Sequence, residues 1–191
     1  AAELNDTRPS PGGNIQTTID LELQMHCEKL MTDKRGVILV GEPLNGGILA
    51  AVSSPDYSPD FFTGSITESD WNDIRTNPDK PLINRYIQGK YIPGSIVKMI
   101  TQIALLKSQH FNKEVKQYCP GFYQYGDRIF GCWYTEGHGE LNVTEAMAVS
   151  CDVYFYKTVK QLNLRDLNRT FNDFGFGQKT KIDIPNETVG L

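Results

Sequence analysis

The spacing of apolar and polar positions predicts a short series of elements. Asp20 precedes a run with Leu21, Leu30 and Met31 on one side, which predicts a helix capped by Asp20, running to about Asp33 and ended by Gly36. The segment GVILVGEPLNGGILAAVSS (36–54) holds two β-rich runs around Asn45-Gly46, a dipeptide that tolerates positive φ, and predicts a hairpin. From Pro55 to Pro93 prolines alternate with Tyr57, Phe61, Phe62 and Trp71, which predicts an ordered but irregular stretch. In GSIVKMITQIALLKS (94–108) the apolar residues point nearly all round a helix, so the helix is expected to be buried with Lys98 inside the domain. A turn-rich, hairpin-like region spans 118–134. Asn142 and Glu145 form a capping pair for a helix from Val143, and a further helix covers 164–173 and ends at Gly175. Residues 1–14 are polar and rich in Pro and Gly, and read as a linker or the end of a preceding domain.

Charge and composition narrow the function. The 191 residues carry 19 Lys+Arg against 23 Asp+Glu, which excludes a basic nucleic-acid binder. Hydrophobic residues at 39% and charged residues at 22% match ordinary globular usage rather than disorder. No stretch reaches the roughly 18 apolar residues of a membrane span, and no signal-peptide pattern opens the chain. The polar start is expected to be that of a mature domain whose membrane anchor lies elsewhere. Cys27, Cys119, Cys132 and Cys151 form no CxxC pair, and His26, His110 and His138 form no HExxH arrangement, so no metal is expected. A Cys119–Cys132 disulfide in an oxidising compartment stays open.

Two polar groups stand out in apolar surroundings. Ser95 and Lys98 lie three apart at the start of the buried helix, so the lysine can reach the serine hydroxyl. Serine needs a base to act as nucleophile, and a desolvated lysine can serve. Pro93-Gly94 sets a tight entry that places Ser95 near free backbone N–H groups. The plain alternative is a lysine that snorkels from a core helix. Ser150-Cys151-Asp152 lies between AMAV and VYFY, where polar side chains are costly unless used. Its alternative is a helix cap or a satisfied polar bridge. For Ser150 and Asp152 both to face Lys98, the helix must break near Ser150, because residues two apart do not share a helical face.

These segments together resemble one family. Tyr91-Ile92-Pro93-Gly94-Ser95-Ile96-Val97-Lys98 is similar to the first signature of the penicillin-binding transpeptidases, and Ser150-Cys151-Asp152 to the second, usually Ser-x-Asn. Aspartate in the third place resembles the elongation-type class B members. The text at 17–24, 46–60, 81–95, 137–156 and 175–187 agrees, so the resemblance covers the chain from residue 15 on. The third signature, Lys-Thr/Ser-Gly, does not occur: Lys179-Thr180 is followed by Lys181. The expected domain at 15–191 is therefore incomplete at its C-terminal end.

The resemblance implies an α/β transpeptidase fold, an antiparallel sheet flanked by helices with a buried helical cluster. It implies acyl transfer on peptidoglycan stem peptides, with Ser95 the nucleophile, Lys98 its base, Ser150 a proton relay and Asp152 the orienter of the lysine or substrate. β-Lactams would acylate Ser95, and neither cofactor nor metal is implied. The implied setting is the periplasmic side of a bacterial inner membrane. The implied partners are the scaffold and glycosyltransferase of a cell-elongation complex, not nucleic acid. A β-lactam sensor or β-lactamase, and a non-catalytic scaffold, are the alternatives.

Overall fold

The computed structural model describes residues 11–190. The chain divides into two compact units, one up to Gly89 and one from Lys90.

The first unit is built on a helix and a hairpin. Helix α1 (Leu21–Leu30) is capped as expected: Asp20 accepts from the Leu23 N–H at 2.9 Å. It stops earlier than the sequence suggests, because Asp33 takes φ 57°, outside the helical region. Of the three residues expected on its packed side, only Met31 is buried. Cys27 and Met31 are buried, whereas Leu21 and Leu30 are 69% and 47% exposed. Strands β1 (Gly36–Gly41) and β2 (Ile48–Ser54) pair antiparallel with Ile38 opposite Val52. Gly46, at φ 77°, turns the loop between them, and Asn45 accepts from the Gly47 N–H. Ala50 and Val52 pack on Cys27 and Met31. The Gln24 side chain both donates to and accepts from the Ala51 backbone, which ties α1 to β2.

The segment expected to be irregular contains two helices. Thr67 caps α2 (Glu68–Thr76) by accepting from the Asp70 N–H. Helix α3 (Arg85–Gln88) buries Arg85, whose guanidinium donates to the carbonyls of Pro55, Ile83 and Asp79. Thr-x-x-Asp at 67–70 is a capping signal that the surrounding prolines obscured.

In the second unit a 3₁₀ turn (Gly94–Val97) runs into α4 (Lys98–Lys107). Strands β3 (Gln117–Cys119), β4 (Phe122–Tyr125), β5 (Arg128–Gly131) and β6 (Gly139–Leu141) follow, then α5 (Val143–Ala148), α6 (Asp152–Thr158) and α7 (Leu164–Asp173). The β4–β5 hairpin falls inside the region read as hairpin-like, and β3 pairs with β6. Among the described residues the strands form three separate two-stranded ladders rather than one central sheet. The buried helical cluster is present: Leu105 of α4 packs with Val143 and Ala146 of α5 and with Val153, Tyr154 and Phe155 of α6. Helix α4 is not buried all round, however. Met99 and Leu106 are 56% and 49% exposed, as is Ile96 of the preceding turn at 66%, so the apolar residues of this stretch cover the core on one side only.

Candidate active site

The site is assembled by two interruptions in helical structure. The first is at the entry to α4. Gly94 takes φ 59°, a conformation costly for a residue with a Cβ, and the chain then enters the 3₁₀ turn that carries Ser95. Ser95 is exposed, and its hydroxyl has no hydrogen-bond partner among the described residues. One turn further, Lys98 is 8% exposed. A buried ammonium requires partners, and three are in place. Lys98 Nζ donates to Ser150 O at 2.8 Å, to Ser150 Oγ at 3.1 Å and to Asp152 Oδ1 at 2.5 Å.

The second interruption brings those acceptors together. Asn142 and Glu145 close a capping box at the start of α5, which ends at Ala148, and α6 begins at Asp152. Between them Ser150 takes φ 51°, a left-handed conformation uncommon for a residue with a side chain. This is the break that two residues in a Ser-x-Asp spacing need in order to face one lysine. Asp152 also occupies the first turn of α6, where a negative charge meets the positive helix end. Its second oxygen, Oδ2, accepts from the Trp133 backbone N–H at 3.0 Å, while the Trp133 indole donates to Val149 O at 2.9 Å. The structure thus brings Lys98, Ser150 and Asp152 into direct contact and sets Ser95 at the head of the same helix as Lys98. No sequence motif marks Trp133, because contacts made through N–H groups leave none.

Behind Ser150 and Asp152 lies a second constellation. Cys119 at the end of β3, Cys132 after β5, His138 before β6 and Cys151 offer ligand atoms that all lie within 4.8 Å of one another. His138 Nδ1 faces the sulfurs of Cys132 at 3.5 Å and Cys119 at 3.8 Å, and its Nε2 is buried without a partner among the described residues. The backbone crowds here: a Cβ on Gly121 or Gly137 would overlap the carbonyl of Thr135 or Cys119. All four cysteines are free thiols, so Cys119 and Cys132 are not disulfide-bonded. Burial pushes the Cys151 thiol up to about 12, with the neighbouring Cys119 and Cys132 adding to it. For Cys132 burial also pushes upward, but hydrogen bonds from the backbone of Tyr134, Val153 and Asp152 outweigh it and the thiol is lowered. Three sulfurs and one imidazole suit a tetrahedral ion such as Zn²⁺. The sequence, by contrast, led to no expectation of a metal. That reading weighed ligand spacing along the chain, whereas these ligands come from separate elements.

The chain matches the penicillin binding protein transpeptidase domain over residues 36–191 and belongs to that family. Among its relatives, the peptidoglycan D,D-transpeptidase MrdA of Escherichia coli K12 is 33% identical over 190 residues, 98% of this chain and 30% of that protein. The Helicobacter pylori penicillin-binding protein PBP2, solved in complex with MreC, superposes with a TM-score of 0.85 at 38% identity, covering 91% of this chain and 32% of that one. Penicillin-binding protein A of M. tuberculosis, solved as a ceftriaxone acyl-enzyme, gives 0.84 at 25% identity over 95% of this chain and 44% of that one. The chain thus spans about a third of the length of the curated relative it matches. Lys179-Thr180-Lys181 lies outside any strand, with Thr180 bonded to Glu187, which separates it from a strand-borne third signature.

Proposed function

We propose that the protein is a serine D,D-transpeptidase that cross-links peptidoglycan stem peptides during cell elongation. One observation carries the reading: the ammonium one helical turn after Ser95 is held at once by Ser150 O, Ser150 Oγ and Asp152. With all three N–H donors engaged, Lys98 has no lone pair for a proton. Activation of Ser95 therefore uses the neutral amine, in which a lone pair replaces one of those donors. Ser95 Oγ then bonds to the D-Ala-D-Ala carbonyl carbon as Lys98 takes its proton. The C–N bond to the terminal D-Ala breaks, and the proton passes through the Ser150 hydroxyl to the departing amine. The amine of a neighbouring stem attacks the acyl-enzyme, its proton returns by the same route, and the Ser95 ester opens. Asp152 keeps Lys98 pointed at Ser150 throughout. Acyl-enzyme formation in the mycobacterial relative and MreC binding in the Helicobacter relative support β-lactams as ligands and an elongation scaffold as partner. The setting that follows is the periplasmic face of a bacterial inner membrane. No helix among the described residues is long and apolar enough to cross a membrane.

Fluorescent-penicillin labelling of the full-length protein, with Ser95→Ala in parallel, tests this reading. A label on wild type alone supports it, and a label retained by the alanine variant removes Ser95 from its role. Rapid release of the label identifies a β-lactamase, and absence of label a scaffold.

The sulfur cluster is read as a structural Zn²⁺ centre held by Cys119, Cys132, His138 and Cys151. All four positions come from protein, so the ion supplies rigidity rather than an open site for chemistry. Elemental analysis of protein purified without chelator tests it: stoichiometric zinc supports the centre, and its absence after zinc supplementation removes it.

A further inference from the structure

We propose that Trp133 is a positioning residue for acyl transfer: its two N–H groups clamp the turn that carries Ser150 and so set the three acceptors that hold Lys98. The proposal rests on the reading of Ser95 and Lys98 given above. Trp133 is 64% exposed, so the core does not explain it. Its ring lies beside those of Tyr134, at 5.8 Å, and His138, at 5.4 Å. Yet both of its donors are spent on one short segment. The indole N–H takes the carbonyl of Val149, the residue before Ser150. The backbone N–H takes the carboxylate of Asp152, two residues after Ser150.

What that segment needs is restraint. Ser150 sits at φ 51°, a conformation that persists only where its surroundings over-determine it. Three backbone N–H groups restrain it from the α5 side: Val149 to Glu145, Ser150 to Met147 and Cys151 to Ala146. The Val149 carbonyl belongs to the end of α5, where carbonyls lack intrahelical donors, and Trp133 supplies the donor. The bond to Asp152 Oδ2 has a second effect. It fixes the rotation of the carboxylate, so that Oδ1 is the oxygen presented to Lys98. Trp133 itself is anchored through Cys132, whose N–H donates to Gly121 O at 2.7 Å. A shift of this clamp moves the Ser150 hydroxyl and carbonyl relative to Nζ without touching Ser95.

The test removes one N–H group. Benzothienylalanine at position 133 of the full-length protein keeps the shape of tryptophan and lacks the indole donor; Trp133→Phe is the genetic counterpart. Fluorescent-penicillin kinetics separate the non-covalent dissociation constant from the acylation rate constant, with the melting midpoint measured beside them. The rate constant should fall about tenfold, the size expected for slight misplacement of catalytic groups. The dissociation constant should stay within about twofold, because the lost interaction is not with the ligand. A wild-type rate constant in the isostere overturns the proposal. So does a loss carried wholly by the dissociation constant, which would make Trp133 a ligand contact, or one explained by a lowered melting midpoint. Ser95→Ala is run alongside. Label on that variant fails the transpeptidase reading itself, whereas a silent Ser95→Ala with an unaffected isostere fails the Trp133 inference alone.

Discussion

Replacing Asp152 by asparagine, the more usual residue of the family signature, should damage this chain. The carboxylate accepts on both sides, from Lys98 Nζ at 2.5 Å and from the Trp133 N–H at 3.0 Å. An asparagine side chain offers one oxygen and one NH₂, so in either orientation a donor confronts a donor. The swap forfeits one charge-assisted hydrogen bond, about 1.5–3 kcal/mol, and leaves the Lys98 charge without its counter-ion. Removing one member of a buried pair costs about 3–5 kcal/mol. With Asp152 about one-fifth exposed and the asparagine oxygen retained, Asp152→Asn should cost about 2–3 kcal/mol and Asp152→Ala somewhat more. A double-mutant cycle with Lys98→Met, followed by urea unfolding of the full-length protein, isolates the pair. The double variant should be more stable than the sum of the single effects implies, with a coupling of about 2 kcal/mol. Additivity within about 0.5 kcal/mol would refute the claim that this contact holds Lys98 in place.

Other outcomes follow from the same geometry. Ser95→Ala should lose the penicillin adduct in intact-mass spectra while melting as wild type does, since Ser95 is exposed and its hydroxyl has no partner among the described residues. Cys151→Ser should lower the zinc content below about half an ion per chain, and a chelator should slow acylation in wild type more than in this variant. Glu187 accepts from the Thr180 hydroxyl, the Thr180 N–H and the Lys181 N–H, which hold its carboxyl below the usual range. A lowered folded value stabilises this loop above the unfolded value and is lost as pH falls through the lowered one. Amide exchange at Thr180 and Lys181 should therefore quicken on acidification, and Glu187→Gln should remove that dependence.

The parts legible in the sequence are those written by local rules. The Asp20 and Asn142 caps and the Asn45-Gly46 loop each follow from a few adjacent residues, whereas the break around Ser150 follows only once Ser150 and Asp152 are both required to face Lys98. Lys98 as a buried lysine was readable from the apolar residues around it. The misreadings share a different cause. Helix α2 was hidden because Pro55 and Pro59 made the whole stretch look irregular, although Thr67-x-x-Asp70 is a sound start signal. The exposed face at Ile96, Met99 and Leu106 could not be foreseen, since hydrophobicity says that a residue can be buried, not what covers it. The sulfur cluster depends on β3, the end of β5 and the α5–α6 turn meeting in space, which no spacing rule encodes. Trp133 acts through its N–H groups, one of which every residue but proline possesses.

The three residues 150–152 face two different centres in turn. Ser150 and Asp152 address Lys98, and the completely buried Cys151 between them addresses the sulfur cluster and also accepts from the Tyr154 N–H at the start of α6. A signature that writes the middle position as unrestricted is thus misleading for this chain. Random libraries at residue 151 should return few functional clones, and the failures would be scored as active-site lesions although the side chain lies with Cys119, Cys132 and His138. Drift at that letter is constrained by Cys119, Cys132 and His138. The motif should therefore change in concert with those distant residues, and an allele exchanged at residue 151 alone should fail where a block carrying all four succeeds.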